Sequence, residues 1–302
     1  MTTTDTTATP GAPLLEVRDV YRTYRRGRTS TFGAREQVEA LQGVSLEVAR
    51  GSRFGIVGES GSGKSTLVRL LAGLEHPTQG EIRFDGQTVS GLPERRLSFL
   101  RRELQVVFQD PMSSLDPRMR VRDIVAEPLQ TQGHPDARRR VAEVLEAVGL
   151  PESATRRYPH QFSGGQRQRI SIARALAPQP SVLVADEAVS ALDVSVRAQI
   201  LNLVSSLVAD LDLTLVFVSH DLSVVRHLCE QVAVLHAGRL VESGPTESVY
   251  RDPRDDYTRR LIGSIPTIRG ALAGVGAREL AQEQMNAGSP PAGQANGQEA
   301  RR

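Results

Sequence analysis

The chain has 302 residues, 39% hydrophobic and 24% charged, which are the proportions of a soluble globular protein with one or two domains. Its 37 basic and 35 acidic residues leave a formal net charge of +2, too small an excess to indicate a nucleic-acid-binding protein. The single cysteine, Cys229, excludes an intramolecular disulfide, and its apolar surroundings predict a small buried residue.

Both ends of the chain have the composition of disordered segments. Residues 1–13 are rich in Thr, Ala and Pro, and residues 271–302 in Gly, Ala, Gln and Pro, so we expect two tails around a folded domain at residues 14–270. The start lacks an apolar signal core, and no apolar run approaches the roughly 18 residues that span a bilayer. We expect the protein to stay in the cytosol unless a partner holds it at a membrane.

The first part of the folded region has strand patterns. Leu14–Val20 alternates apolar and polar residues, Val44–Val48 is a second strand, and Glu81–Phe84 is a strand that ends in a turn at Asp85-Gly86. Residues 25–37 have the composition of a loop.

A phosphate-binding loop lies between these strands. The apolar run Phe54–Val57 precedes GESGSGKST, and an apolar helical pattern follows, so the segment connects a strand to a helix. Glycines let backbone N–H groups approach phosphate oxygens, Lys64 supplies a cation, and the Ser65 hydroxyl is placed to bind Mg²⁺. The predicted phosphate-binding residues are Gly58, Glu59, Ser60, Gly61, Ser62, Gly63, Lys64, Ser65 and Thr66.

Lys64 is also the single lysine of the chain, and all other members of the 37 basic residues are arginines. A compact ammonium fits this loop, and a planar guanidinium would not substitute well for it here. This composition strengthens the assignment of Lys64 to a phosphate site.

Helical patterns dominate the middle of the chain. Residues 93–103 read as a polar, arginine-rich helix, and Gln105–Phe108 as a strand that ends at Gln109. The region at about 110–165 has turn-rich connections and short helices, of which Arg138–Val148 is the clearest. We predict that this region is a helical subdomain inserted into the nucleotide-binding core.

The later part alternates helices and strands. Gln166–Ala177 reads as a helix, and the apolar runs Val182–Ala185 and Leu215–Val218 as strands buried in a parallel sheet. Val232–His236 and Arg239–Glu242 form a predicted hairpin. Between the two buried strands, a helix capped by Asp193 is predicted to turn these residues inward: Ile200, Leu203, Val204, Leu207 and Val208. The pattern predicts an α/β fold with a mainly parallel sheet.

Five further motifs narrow the class of protein. Gln109 follows an apolar strand, and FSGGQ at 162–166 opens a helix. The strand VLVA ends in Asp186-Glu187, SALD follows at 190–193, and SHD at 219–221 ends the next strand. This set in this order resembles the ATP-binding subunit of an ABC (ATP-binding cassette) transporter over roughly residues 14–265. The resemblance implies a P-loop (RecA-like) core with an antiparallel β subdomain and an inserted α-helical subdomain.

The resemblance assigns roles around ATP and Mg²⁺. It implies that Glu187 polarises the attacking water as a general base, that His220 bonds the γ-phosphate, and that Tyr24 stacks on adenine. The same resemblance implies that Ser65, Gln109 and Asp186 interact with the Mg²⁺ ion. In this family two subunits pair head to tail, so the resemblance implies that the γ-phosphate bound by one subunit lies at the FSGGQ segment of the other, here called the signature segment. Its nucleotide-binding residues are Ser163, Gly164, Gly165 and Gln166. Asp193, before the next helix, is expected to make a further contact across the dimer.

Two positions depart from the family pattern. Phe162 stands where leucine is usual, a packing change of small effect. Ala188 stands where proline is usual after the catalytic carboxylate, so a fixed φ is lost and we expect a modestly lower turnover.

Several stretches resemble the oligopeptide, dipeptide and nickel importer group, in its second-ATPase type. They are the insert before Val38, QDPMSSLDP at 109–117, the SALDVSV region and DYTRRL at 256–261. The resemblance implies an ATPase that powers import at the cytoplasmic face of the membrane, with peptides as the expected cargo. Its partners are two transmembrane permease subunits, a second related ATP-binding subunit in a heterodimer or homodimer, and an external substrate-binding protein. The surface near Gln109–Asp116 is predicted to bind a short helix of a permease subunit.

Alternatives from other classes stay open. A nickel or other small-solute importer shares these motifs. A soluble ABC-type ATPase acting on DNA or ribosomes needs a long coiled coil or a second cassette, and the stretch between Thr66 and Phe162 has no sustained heptads. A regulatory module that binds nucleotide without hydrolysis conflicts with the presence of Glu187 and His220.

Overall fold

The structure, a computed structural model, describes residues 13–25, 37–190 and 192–264. The predicted tail at 271–302, all but the last residue of the predicted tail at 1–13, and most of the predicted loop at 25–37 lie outside these residues, as does the stretch 265–270. Within the described part of the chain, no helix is both long and apolar enough to cross a bilayer.

Two sheets organise the fold. The strands are β1 (Pro13–Arg25), β2 (Gln37–Ala49), β3 (Arg53–Val57), β4 (Gln79–Phe84), β5 (Gln87–Thr88), β6 (Leu104–Val107), β7 (Val182–Asp186), β8 (Thr214–Ser219), β9 (Gln231–His236) and β10 (Arg239–Pro245). The first sheet is antiparallel in the order β2-β1-β4-β5. The second has the order β10-β9-β3-β8-β7-β6, with parallel pairing throughout except for the β9–β10 hairpin. The predicted α/β class, with a mainly parallel sheet beside an antiparallel one, is confirmed.

The helices connect and cover these strands. They are α1 (Lys64–Leu71), α2 (Ser98–Glu103), α3 (Pro111–Ser114), α4 (Val121–Thr131), α5 (Ala137–Ala147), α6 (Gly164–Leu176), α7 (Val194–Asp210), α8 (Leu222–Leu228), α9 (Thr246–Arg251) and α10 (Asp256–Gly263). Short 3₁₀ helices cover Glu94–Arg96, Glu152–Arg156 and Pro159–Gln161. The stretch between β6 and β7 is thus helical, and α4, α5 and α6 pack against one another.

One buried hydrophobic cluster joins the two sheets. It combines side chains of β1, β2 and β4 with α1 and with alternate residues of the parallel strands, such as Val184, Val216 and Leu235. Alternate residues of a strand point to the same face, so this cluster covers one face of the parallel sheet. Strands β7 and β8 are buried along their whole length, which explains why both are continuous apolar runs.

Several local predictions need correction. The helix predicted at 93–103 is broken at Leu97, whose side chain is buried in the core, so a 3₁₀ turn after Pro93 precedes a separate α2. The first strand runs on through Tyr24, and β6 ends before Phe108. Asp193 occupies the N-cap position of α7 without a side-chain capping bond, and Leu203 is only half-buried.

Cys229 follows the last residue of α8 and is buried, as predicted. Burial raises the pKa of its thiol to about 12, so the thiolate is not populated at neutral pH.

Candidate active site

The chemistry-bearing motifs follow three neighbouring parallel strands. The phosphate loop follows β3, Glu187 follows β7 and His220 follows β8, and the pairs Val57–Ser219 and Asp186–Val218 fix the register of these strand ends. Carboxyl ends of parallel strands lie at one edge of a sheet, which is where open α/β sheets bind ligands. The fold therefore brings these three motifs together.

The phosphate loop is shaped by glycines and by close backbone contacts. A Cβ at Gly58 would lie 2.2 Å from the Leu235 carbonyl oxygen, and a Cβ at Gly63 would lie 2.5 Å from that of Ala40. Gly63 also has φ of +105°, a conformation that residues with a side chain rarely adopt. The loop leads into α1, whose first residue is Lys64.

Lys64 is the centre of the polar contacts. Its side chain is only 4% exposed, and Nζ donates hydrogen bonds to the carbonyl oxygens of Gly58 at 2.7 Å and Glu59 at 2.8 Å. The Glu187 Oε1 atom lies 3.8 Å from Nζ. Burial lowers the pKa of the Lys64 ammonium, although the carboxylates of Glu187 and Asp186 act in the opposite direction.

The Glu187 carboxylate has two neighbouring side chains, those of Lys64 and His220. Its Oε2 atom is 3.5 Å from Nδ1 of His220, on the opposite side from Lys64, and its side chain is 15% exposed. The backbone of Glu187 has φ of +46°, a left-handed conformation that costs a non-glycine residue about 1 kcal/mol. Hydrogen bonds from its N–H to Val218 and from the Ser190 N–H to its carbonyl maintain this conformation.

Asp186 is a buried carboxylate with free bonding capacity. It is 7% exposed, and its Oδ1 atom has no hydrogen-bond partner among the described residues. Burial and the adjacent Glu187 carboxylate raise the pKa of Asp186, against the opposing effects of the Ser65 hydroxyl and the Lys64 ammonium. Ser65 and Asp186 both line a cavity of about 550 Å³, whose wall also includes Gln109.

A serine connects Gln109 to the carboxylate segment. Gln109 Nε2 lies 3.5 Å from Ser190 Oγ, and Ser190 Oγ donates a 3.0 Å hydrogen bond to the Glu187 carbonyl oxygen. The sequence identified Ser190 only as part of a motif. Its link depends on a contact between residues 81 positions apart, which no local pattern indicates.

The signature segment forms a separate part of the surface. Ser163 Oγ accepts the Gln166 N–H at 3.3 Å and Gln166 Oε1 accepts the Ser163 N–H at 3.1 Å, a capping box that begins α6. A Cβ at Gly165 would lie 2.5 Å from Val196, so this helix start packs against the beginning of α7, beside Asp193. Among the described residues, no hydrogen bond or ion pair connects the segment to the phosphate loop.

Tyr24 lies on β1, apart from these contacts. Its hydroxyl donates a 2.6 Å hydrogen bond to Glu75, and the Arg22 guanidinium lies 4.6 Å from its ring centroid. One face of the ring is therefore covered by Arg22.

The fold and these residues define a P-loop nucleotide-binding protein. A family model described as "ABC transporter" matches residues 41–190. The oligopeptide transport ATP-binding protein OppF of Streptococcus mutans is 44% identical over 257 residues, which cover 84% of this chain and 82% of that relative. The chain belongs to the ABC transporter family.

Two further comparisons extend this result. The oligopeptide transport ATP-binding protein OppD of Mycobacterium bovis is 50% identical over 256 residues, 84% of this chain, but the match covers only 42% of that relative's length. The solved dimeric post-hydrolysis structure of the ATP-binding cassette MJ0796, bound to ADP and Pi, has a TM-score of 0.68 and 32% identity, covering 77% of this chain and 98% of the other.

Proposed function

We propose that this chain binds and hydrolyses ATP to power an importer of peptides. The observation that carries the proposal is the convergence on Glu187, where Lys64 lies 3.8 Å from one carboxylate oxygen and His220 lies 3.5 Å from the other. An ordinary structural ion pair does not explain why a half-exposed histidine, a buried lysine and a strained carboxylate meet beside a phosphate loop.

In this proposal the phosphate loop, Gly58–Thr66, binds the phosphates of ATP. Its backbone N–H groups and the start of α1 stabilise the negative charge of the phosphate groups. Lys64 exchanges its hydrogen bonds to the Gly58 and Glu59 carbonyl oxygens for contacts with phosphate oxygens. Tyr24 stacks on the adenine through the ring face that Arg22 leaves open.

The donor set around Asp186 fits Mg²⁺. This ion prefers oxygen ligands and is usually held by one or two protein groups plus substrate phosphates. Ser65 supplies a hydroxyl, Asp186 a buried carboxylate with an unpaired oxygen, and Gln109 an amide oxygen on the same cavity wall. When bound, the ion would neutralise charge on the β- and γ-phosphates.

Glu187 acts as the general base. Lys64 and His220 each lie near one of its carboxylate oxygens, and its 15% exposure leaves the carboxylate accessible to water. Glu187 accepts the proton from the attacking water at a carboxylate oxygen, and His220 orients the γ-phosphate. Gln109 couples the helical region at 110–165 to the Glu187 backbone through its contact with Ser190.

A second ATP-binding subunit completes the site. Within Ser163 to Gln166, the Ser163 hydroxyl and the backbone N–H groups of Gly164 and Gly165 lie at the start of α6, which is a favourable place for phosphate oxygens. Because no hydrogen bond or ion pair among the described residues connects this segment to the phosphate loop of the same chain, it would bind the γ-phosphate held by the partner, with Asp193 beside it. The dimeric form of MJ0796 supports this arrangement.

The remaining partners are two permease subunits and an external substrate-binding protein, which place the chain at the cytoplasmic face of the membrane. The names of OppD and OppF support peptides as cargo. A groove of about 580 Å³ between α2, β6, α4 and α6 is the proposed dock for a permease helix; its lining includes Leu74, Arg101, Arg102, Glu127 and Arg174. Arg174 also donates a 2.6 Å hydrogen bond to the Ser114 carbonyl, so the groove adjoins the segment after Gln109.

The test uses the variant Glu187→Gln, which keeps the size of the side chain but removes the base. We expect it to bind MgATP with near-parental affinity and to hydrolyse it at least about 100-fold more slowly. Tagged and extracted from native membranes with MgATP in mild detergent, it should retain two integral membrane proteins and a second ATPase. A matched Glu146→Gln variant on the exposed face of α5 should behave like the parent.

Other outcomes would contradict the proposal. Recovery of ribosomes, DNA or soluble partners alone would exclude transport. Undiminished hydrolysis by Glu187→Gln would exclude this carboxylate as the base. If the membrane proteins are recovered, reconstituted vesicles with their binding protein should take up short peptides in preference to Ni²⁺.

A further inference from the structure

Helix α10 packs behind the phosphate loop, and the proposed reaction does not use it. Its sequence, DYTRRLIG, places Tyr257 in the first turn, and this side chain is 5% exposed. The Tyr257 hydroxyl accepts a 2.9 Å hydrogen bond from the backbone N–H of Glu59, the second residue of the loop.

Tyr257 is itself held in place from several directions. Its ring stacks on His236 with centroids 3.9 Å apart. Its backbone N–H donates to Asp255 Oδ1 at 2.8 Å, and the Glu242 carboxylate of β10 accepts the N–H groups of Arg254 and Asp255. Burial raises the pKa of the Tyr257 hydroxyl, so it stays neutral and keeps this bonding pattern throughout the physiological range.

The contact acts on one particular peptide group. The Glu59 N–H and the Gly58 C=O belong to the same planar unit and point in opposite directions when the bond is trans. Tyr257 binds the N–H side at 2.9 Å, and Lys64 Nζ binds the C=O side at 2.7 Å. Rotation of this plane would therefore break the tyrosine contact and displace the carbonyl that holds the ammonium group.

The other end of the loop is held in a similar way. The Gly238 N–H of the β9–β10 turn donates a 3.0 Å hydrogen bond to the Ser62 carbonyl, and the Ser62 N–H donates to Glu59 at 3.2 Å. Elements late in the chain thus fix the loop from its rear surface at two points. The front surface stays available for phosphate groups.

We propose that Tyr257 is a positioning residue for nucleotide binding, which fixes the Gly58–Glu59 peptide plane and through it the Lys64 ammonium. The inference rests on the proposed phosphate-loop site. Because the Tyr257 side chain contacts the Glu59 backbone and the His236 ring, and not Glu187 or His220, we expect it to affect the affinity for nucleotide and to leave the chemical step unchanged.

The test compares Tyr257→Phe with a matched control in the same helix. Phenylalanine keeps the ring that stacks on His236 and removes only the hydroxyl. Thr258 is fully buried, and its Oγ1 has no hydrogen-bond partner among the described residues, so Thr258→Val removes a hydroxyl but no bond. Each full-length variant is measured for amide exchange at residues 58–63 without nucleotide, for its Kd with MgADP, and for KM and kcat with MgATP.

We expect faster exchange of the Glu59 amide in Tyr257→Phe, with Kd and KM raised about threefold to tenfold and kcat within about twofold of the parent. Thr258→Val should match the parent in all three. Unchanged exchange and Kd in Tyr257→Phe, equal changes in both variants, or a fall in kcat at constant KM would each overturn the inference. A parent chain that fails to bind MgADP would refute the proposed function, whereas the exchange comparison would still report on the tyrosine contact.

Discussion

Lys64 and Asp186 are charged groups that the fold removes from water, at 4% and 7% exposure. Burial lowers the pKa of the first and raises that of the second, so the charged form of each side chain is less favourable in the folded chain than in water. Neither side chain is optimal for stability. In the proposed function, phosphate and a metal ion would offset this cost, as is common where function opposes stability.

Asp186→Asn should therefore stabilise the nucleotide-free chain. Since the folded-state pKa of Asp186 is raised above the unfolded value, ionisation of this group opposes folding, fully so at pH values above the folded-state pKa. At pH 7 we expect a gain of about 1 kcal/mol in the free energy of unfolding, or about 2–4 °C in melting temperature. ATP hydrolysis should be lost.

The pH dependence of this gain in stability shows whether it comes from removing the buried Asp186 charge or from an effect of the substitution that does not depend on charge. The gain should shrink as the pH falls toward about 4, because the parental Asp186 then becomes protonated and resembles asparagine. Calorimetry in EDTA from pH 4 to pH 8 measures it, with Glu146→Gln as an exposed acid-to-amide control. A gain that is constant with pH, or a loss at pH 7, would show that the buried charge is not the cause.

At the scale of elements, the junction between β7 and α7 combines a strained residue, Glu187, with an alanine whose φ is not fixed by a ring. Glu187 has φ of +46°, and Ala188, which is 4% exposed, replaces the proline usual in this family. Alanine leaves φ free where proline restricts it to about −65°. Among the described residues, backbone hydrogen bonds from the N–H groups of Glu187, Ser190 and Leu192 stabilise this loop.

Ala188→Pro should raise the turnover number of the assembled complex about twofold, since a fixed φ reduces the conformations open to the segment beside Glu187. Ala188→Ser is the control, because it changes the side chain and leaves φ free. Steady-state ATPase assays at saturating MgATP compare them. A proline variant as slow as the parent or slower would show that this segment does not limit turnover.

Sequence patterns predicted most of these elements correctly. The apolar runs of β7 and β8 predicted buried parallel strands, and the apolar face of α5, with Val141, Val144 and Leu145, predicted its burial. The break at Leu97 was missed, because it depends on a core contact and not on local propensity. The bond between Glu59 and Tyr257 joins residues 198 positions apart, so only the fold reveals it.

At the scale of the whole molecule, the groove beside α6 has a definite charge. Its lining contains four arginines, Arg95, Arg101, Arg102 and Arg174, against two glutamates, Glu94 and Glu127. A permease segment that docks there should carry acidic side chains, since complementary charge selects partners and accelerates their encounter.

Reversing this charge should release the permease. We expect Arg101→Glu/Arg102→Glu to lose the membrane proteins in the Glu187→Gln co-purification, while its MgADP affinity stays within about twofold of the parent. Arg138→Glu/Arg139→Glu, on an exposed part of α5, changes the net charge equally and should retain them. Loss in both double variants would indicate a non-specific charge effect and argue against this groove.

The single lysine gives the phosphate loop one more property. An endoproteinase that cuts only after lysine has one bond to hydrolyse in the entire chain, between Lys64 and Ser65 at the first turn of α1. With that side chain 4% exposed, cleavage requires the loop to open locally. The rate at which the intact chain disappears on a gel is therefore a direct, label-free measure of loop opening, and bound nucleotide should slow it.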